Sequence, residues 1–239
     1  MRKIILIICL IIFASSAIAK TYIVGVEDYI DHPYQSVKAN GEFYGIIRDI
    51  LDKFAKEEEI EFIYKPYKSD ELYKEFLAGR LDFKFPDNYI WKYSEKEGYK
   101  IIYSIPVTHY IDGIFIKKSS YGKKMKDFKI FGTNKGDDID HILSKKQKDG
   151  KIEVKNANNC AELISKIIAG EIDAIFCNYD VMQYLLKGSI YENEIVFNPD
   201  FIFIDNYFYL STLKYPEIIE KFNGWVRENR EYIERVIHE

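Results

Sequence analysis

The sequence predicts an α/β protein made of two Rossmann-like lobes. Short apolar strands alternate with amphipathic helices, an order that implies parallel strands joined by helical crossovers. One corner motif occurs twice: Leu-Ala-Gly-Arg-Leu-Asp-Phe at 77–83 is echoed by Ile-Ala-Gly-Glu-Ile-Asp-Ala at 168–174. The copies lie 91 positions apart, which two similar lobes explain better than one continuous sheet. The length also permits two lobes of about 100 residues each.

Residues 1–19 are expected to be a cleaved secretory signal. Arg2 and Lys3 open it, an apolar run fills 4–13, and Ala17-Ile18-Ala19 suits a cleavage site. The run is too short to favour a permanent span, which takes roughly 20 residues; an uncleaved signal anchor is the alternative. Cys9 follows Ile8 inside the run, which disfavours lipoprotein processing. Charges interrupt every apolar run after Lys20. Cleavage leaves 220 residues and moves the net charge from −4 to −6, because Arg2 and Lys3 depart. Mild acidity without a basic stripe excludes nucleic acid as a natural partner. Cys160 and Cys177 remain; they read as two buried thiols, with a disulfide as the alternative in an oxidising compartment.

Along the mature chain, 22–26 reads as a strand and 27–41 as a loop carrying Pro33 and Tyr34. Residues 46–58 read as a helix, with Ile46, Ile50 and Phe54 at spacing four beside Ile47 and Leu51. A strand at 62–64 precedes a helix over 71–78 that Gly79 terminates, and a strand follows at 81–85. A longer connection, 86–99, leads to extended segments at 101–103 and 111–116. The pattern then restarts: strand 129–132, short helix 139–143, strand 152–154, helix 160–169 stopped by Gly170, strand 172–177 and helix 181–186. Val196 and 201–210 are extended. Residues 216–237 read as one long closing helix, broken or softened near Gly224. Ligands of open α/β sheets gather beyond the carboxyl ends of strands, where helix N-termini also point.

At this level the chain resembles the extracellular solute-binding proteins of family 3, the polar amino-acid-binding type. The motifs are Gly41-Glu42-Phe43-Tyr44-Gly45-Ile46-Ile47-Arg48-Asp49-Ile50, the two corners at 78–82 and 169–174, Ser104-Ile105-Pro106-Val107 and Tyr207-Phe208-Tyr209-Leu210. The resemblance implies a type II periplasmic-binding-protein fold, in which two crossing strands join the lobes. Lobe 1 is then 20–106 with 206–239, lobe 2 is 118–203, and the hinge crossings are 107–117 and 204–205. It also implies a periplasmic monomer that closes on a small polar or charged solute and serves a membrane permease or a sensor.

The family's grip on an amino acid is largely missing. No Arg occurs between Pro86 and Pro106; Lys92, Lys96 and Lys100 stand there instead. Asn178 takes the place of the usual Asp, and Gly136-Asp137 that of a Gly-Thr pair. A planar fork of donors suits a carboxylate better than an ammonium does. These departures point to a different small polar or cationic solute, or to a sensing role.

Candidate ligand-binding residues follow from position. Tyr34 lies where the family often places an aromatic ring. Asp87 and Asn88 follow a strand end directly, and Trp91 is a pocket wall or lid anchor. Asn178 and Asp180 mark the equivalent edge of lobe 2. Lys135 and Asp137 flank a turn before a helix, where backbone donors suit an anionic group. Thr108 and His109 precede a crossing strand. Asp82 and Asp173 are expected to organise the corners. No metal or other cofactor is expected, since His32, His109, His141 and His238 are widely separated. An enzyme on this fold, like the cyclohexadienyl dehydratases, would use Glu27 as acid and base. The chain has no Gly-x-Ser-x-Gly, His-Glu-x-x-His or Gly-x-Gly-x-x-Gly motif.

Overall fold

A computed structural model describes residues 19–28, 30–135 and 152–238. The first half opens with β1 (Lys20–Glu27), the short hairpin β2 (Ser36–Val37) and β3 (Phe43–Tyr44), and α1 (Ile46–Glu57). Helix α1 buries Ile46, Ile47, Ile50, Leu51, Phe54 and Ala55, the stripe that spacings of three and four put on one face. Then come β4 (Ile60–Tyr67), α2 (Ser69–Leu77) and β5 (Phe83–Asp87). β1 pairs in parallel with both β4 and β5.

After α3 (Tyr93–Lys96) and β6 (Ile102–Tyr103) the chain crosses on β7 (Thr108–Lys117). The second half holds β8 (Ile130–Asn134), β9 (Glu153–Ala157), α4 (Cys160–Ala169), β10 (Ala174–Asn178), α5 (Tyr179–Leu186) and β11 (Ile195–Phe197). β12 (Ile204–Thr212) returns to the first half, and α6 (Pro216–Glu228) and α7 (Arg230–His238) close the chain. The predicted helix over 139–143 lies outside the described residues. Among the described residues no helix is long and apolar enough to cross a membrane.

The strand order is β4-β1-β5-β12-β7-β10-β8-β9. β7 and β12 are antiparallel crossing strands. β12 pairs with β7 through Ile204 to Phe208, then with β5 through Tyr209 and Ser211. The hydrogen-bonded path is therefore continuous across the two halves, where the sequence suggested two separate sheets. A register shift between Tyr209 and Ser211 marks the passage, and such irregularities bend a strand.

Both halves use the same corner. Asp82 N–H donates to Ile23 O at 2.9 Å, and its carboxylate accepts from Ile23 N–H at 2.8 Å. Asp173 repeats this on Ile130, at 2.8 and 2.9 Å. Gly79 and Gly170 hold φ of +71° and +76°, a conformation open mainly to glycine. Gly25 and Gly132 complete the device: a Cβ on the first would strike Leu81 and Leu72, and on the second Ile172 and Leu163. Each helix thus lies close on its strand, with the strand's carboxyl end aimed at the other half.

The closing helix differs from the expectation. Gly224 lies inside α6, and the break falls at Asn229. α7 turns there so that the Arg230 guanidinium can donate to Val107 O at 2.6 Å and Pro106 O at 2.9 Å, clamping the start of the first crossing.

Cys160 and Cys177 form a disulfide, with Cα atoms 6.5 Å apart. This corrects the reading of two buried thiols. A crossover helix runs antiparallel to its strands, so the first residue of α4 sits beside the carboxyl end of β10. A sequence separation of 17 corresponds to about 3 kcal/mol of loop-closure stabilisation. The double variant Cys160→Ala/Cys177→Ala is expected to lose about that much in urea denaturation. If reductant left the wild-type midpoint unmoved, the bond would have no such role.

Candidate functional site

A cavity of about 690 Å³ lies between the two halves, at the carboxyl ends of β1, β5 and β10, where this architecture places ligands. The first half contributes Glu27 from β1, Asp31, Tyr34 and Gln35 from the following loop, and Ser69 and Tyr73 from α2. The connection after β5 adds Trp91 and Lys92. The crossing strands supply Asp112, Ile204 and Phe208, and β10 supplies Phe176, Cys177 and Asn178.

A hydrogen bond spans the gap. The Tyr34 hydroxyl donates to the Asp180 carboxylate at 2.5 Å, across 146 positions of sequence. Burial first, then the charges of Asp180, Asp31 and Asp112, push the Tyr34 hydroxyl's pKa up, so it stays a donor. Asn178 sets the opposite wall. Its Oδ1 caps α5, accepting from Asp180 N–H at 3.0 Å and Val181 N–H at 3.2 Å. Its Nδ2 donates to Asp112 at 3.0 Å. Burial pushes the Asp112 carboxyl up to about 7; Asp180 adds to the rise and the Asn178 bond opposes it.

At the other end, Ser69 donates to Glu27 at 3.4 Å. Burial raises the Glu27 pKa, Lys84 pulls it back in part, and Asp87 raises it further. Of the three lysines in the 92–100 segment, Lys92 faces the cavity and donates to Asp70 at 2.8 Å. Lys96 is buried beneath it, and Lys100 is exposed.

The structure corrects two of the expected contacts. Asp87 and Asn88 are fully buried, and neither lines the cavity. β5 is buried along its whole length, so polar groups at its end find partners inside the fold. Asp87 accepts from Ser211 at 2.7 Å, and from Tyr73, Lys96 and Asn88 N–H at 2.8 to 2.9 Å. Burial alone would raise its pKa; the Lys84 and Lys96 ammoniums more than offset that and hold it below the usual carboxylate range. Asn88 donates to Tyr207 O at 2.8 Å and accepts from Ile90 N–H at 3.0 Å.

Thr108 is also displaced from expectation. With His109 and Asp180 it borders a second cavity of about 470 Å³ behind the hinge, next to Arg230. His109 pairs with Asp205 at 2.6 Å at the surface. Lys135 is exposed and does not line the main cavity. Asp137 lies outside the described residues. Tyr34, Trp91 and Asn178 do line the cavity, and Asp180 bonds to its wall.

Sequence reasoning missed Asp31, Gln35 and Asp112, and gave Glu27 only a catalytic alternative. A signal for Asp112 existed. It shares strand parity with Tyr110, Ile114 and Ile116, all buried, and a carboxylate on that face needs a local reason. Among the described residues, no group of three or more His, Cys, Asp or Glu side chains is arranged to hold a metal ion.

No protein-family model and no curated protein matches this chain. Solved structures do. An ancestral arginine-binding protein bound to arginine superposes with a TM-score of 0.70 at 19% identity, over 93% of this chain and 98% of that one. An ancestral amino acid-binding protein described as a precursor of cyclohexadienyl dehydratase gives 0.70 at 19%, over 91% and 94%. An arginine third transport system periplasmic binding protein from Legionella pneumophila gives 0.70 at 15%, over 91% and 98%. Likeness at such identities is a statement about fold: the chain is a bilobed α/β protein with crossing strands, of the type II periplasmic-binding-protein architecture.

Proposed function

We propose that the protein captures a small polar solute in the interlobe cleft, outside the cytoplasm, and delivers it to a membrane permease. The observation that carries this reading is the Tyr34–Asp180 bond, which ties a cavity-lining residue of the first half to the start of α5 in the second. The lobes are 20–106 with 206–239 and 118–203, and 107–117 with 204–205 form the hinge. Closure sheds water and strengthens the polar contacts made inside. The amino-acid-binding and transport proteins of the same fold support this reading. A sensing role would use the same capture step and differ only in the partner docked.

A second reading has one observation in its favour: Glu27 lines the cavity with a burial-raised pKa, as a general acid requires. It is the weaker one. A prephenate-like diacid would meet a cleft whose charged groups are mostly carboxylates.

Native mass spectrometry of gently purified protein, followed by a thermal-shift screen, separates these outcomes. A captured solute is expected to be retained and returned unchanged. At a hundred times its dissociation constant, it should add about 2.7 kcal/mol of stability. A protein that retains nothing and responds to no small molecule would end the capture reading. Conversion of the bound compound, lost in Glu27→Gln, would favour the enzyme.

A further inference from the structure

The charged groups of the described cleft are mostly carboxylates. Glu27, Asp31, Glu95 and Asp112 line it, against one cation, Lys92, and no arginine. Its side-chain donors are largely engaged with the protein itself. The Tyr34 hydroxyl serves Asp180, Asn178 Nδ2 serves Asp112, and the Tyr73 hydroxyl serves Asp87. The Lys92 ammonium lies 2.8 Å from Asp70.

A second observation is independent of these charges. Gln35 lines the same cavity and is only 2% exposed, yet its Oε1 has no hydrogen-bond partner. A buried carbonyl oxygen without a donor is expensive for a fold to keep, and a ligand N–H is what would complete it. The rings nearby suit a cation as well. Tyr34 and Trp91 both meet Phe208 edge-on, at 5.4 and 5.9 Å between centroids, so one wall of the cleft is aromatic. Ring faces attract ammonium and guanidinium groups.

A ligand carboxylate fits this lining poorly. It would add negative charge among four carboxylates and find no planar fork of donors to receive it. Within the solute-capture reading, on which this inference rests, the geometry points to a cationic ligand without a carboxylate: an aliphatic amine, diamine or guanidine. Gln35 Oε1 and Asp112 accept its N–H groups, and the Tyr34, Trp91 and Phe208 rings cover its stem.

The test uses matched pairs that differ only by a carboxylate: agmatine against arginine, and cadaverine against lysine. Titration calorimetry at pH 8 on the mature protein is expected to show each decarboxylated member binding at least tenfold tighter than its amino acid. Gln35→Met and Asp112→Asn, two nearly isosteric changes, should each weaken the amine by tenfold or more; if one fails to fold, the other carries the test. Arginine or lysine binding as tightly as its partner, or unaltered amine affinity in a folded variant, would overturn the inference and leave solute capture standing. Absence of binding by all four compounds would also overturn it. Capture itself would then be judged by whether purified protein retains some other solute.

Discussion

Asp87→Ala is expected to lose about 3–5 kcal/mol of folding stability, the usual cost of removing one partner from a buried charge cluster. Asp87 is wholly buried and stands between two lysines, with Lys96 Nζ at 2.9 Å and Lys84 Nζ at 3.5 Å. Lys84 is itself fully buried, and its ammonium donates to Pro86 O at 2.6 Å. Both ammoniums lie over the Tyr73 ring, at 4.5 and 5.0 Å from its centroid. Without the carboxylate, two cations are left buried beneath the cleft, and of these Lys84 still feels the charge of Glu27. Urea denaturation reads the loss directly. The double variant Asp87→Ala/Lys96→Met should recover part of it, because the second change removes the charge that the first stranded. A loss below about 1 kcal/mol, the scale of an exposed pair, would show that Asp87 is not the keystone of this cluster.

Amine affinity is expected to fall roughly 30-fold between pH 8 and pH 5.5, because Asp112 takes up a proton near pH 7 and a protonated carboxyl no longer attracts a cation. The groups around it explain the position of that pKa. Asn178 bonds to it from the end of β10, Asp180 faces it from α5, and the Tyr34 hydroxyl, itself bonded to Asp180, approaches from the loop after β1. Burial dominates, and the nearby charge that acts with it, Asp180, is another carboxylate. Asp112→Asn should flatten the profile over this range.

The same group has the opposite sign for stability. Its folded pKa lies above the ordinary value of 3.8, so between about pH 4 and pH 7 the native state holds a proton that the unfolded chain has released. Stability from this group therefore rises as pH falls through that window. Asp112→Asn is expected to melt higher than wild type at pH 8, by about 2–4 °C for each kcal/mol regained. A variant that lost amine binding and also melted lower would be damaged rather than informative. One that kept the steep pH profile would place the titrating group elsewhere. The two aspartates thus behave in contrary ways. Asp87 has two lysines for company and supports the fold; Asp112 has carboxylates and leaves a demand for a cation.

Much of the architecture is legible in local sequence, because the devices that build it are local. The corners at 79–82 and 170–173 need a glycine with positive φ and an aspartate that can reach the first strand's backbone. Both are visible in the letters, as is the α1 stripe. Trp91 and Asn178 could be named for the cleft because each lies at or just beyond a strand end, where topology aims it, and Tyr34 because the family resemblance puts an aromatic ring at its place.

Other features depend on partners far away in the chain. The fate of Asp87 turns on Lys96, Ser211 and Tyr73, and the opening of that strand end to solvent is decided by β12, which joins more than a hundred residues later. The Cys160–Cys177 bond follows from the antiparallel return of α4. Asp112 becomes a cleft residue only because β7 crosses between the halves.

Residue type and short spacing account for the alternation, the repeated corner and the absence of an arginine fork, so these can be read from the letters. Tertiary structure alone decided which carboxylates meet lysines and which meet one another. That choice depends on distances between segments distant in the chain, and through burial it sets the charge that the cleft presents.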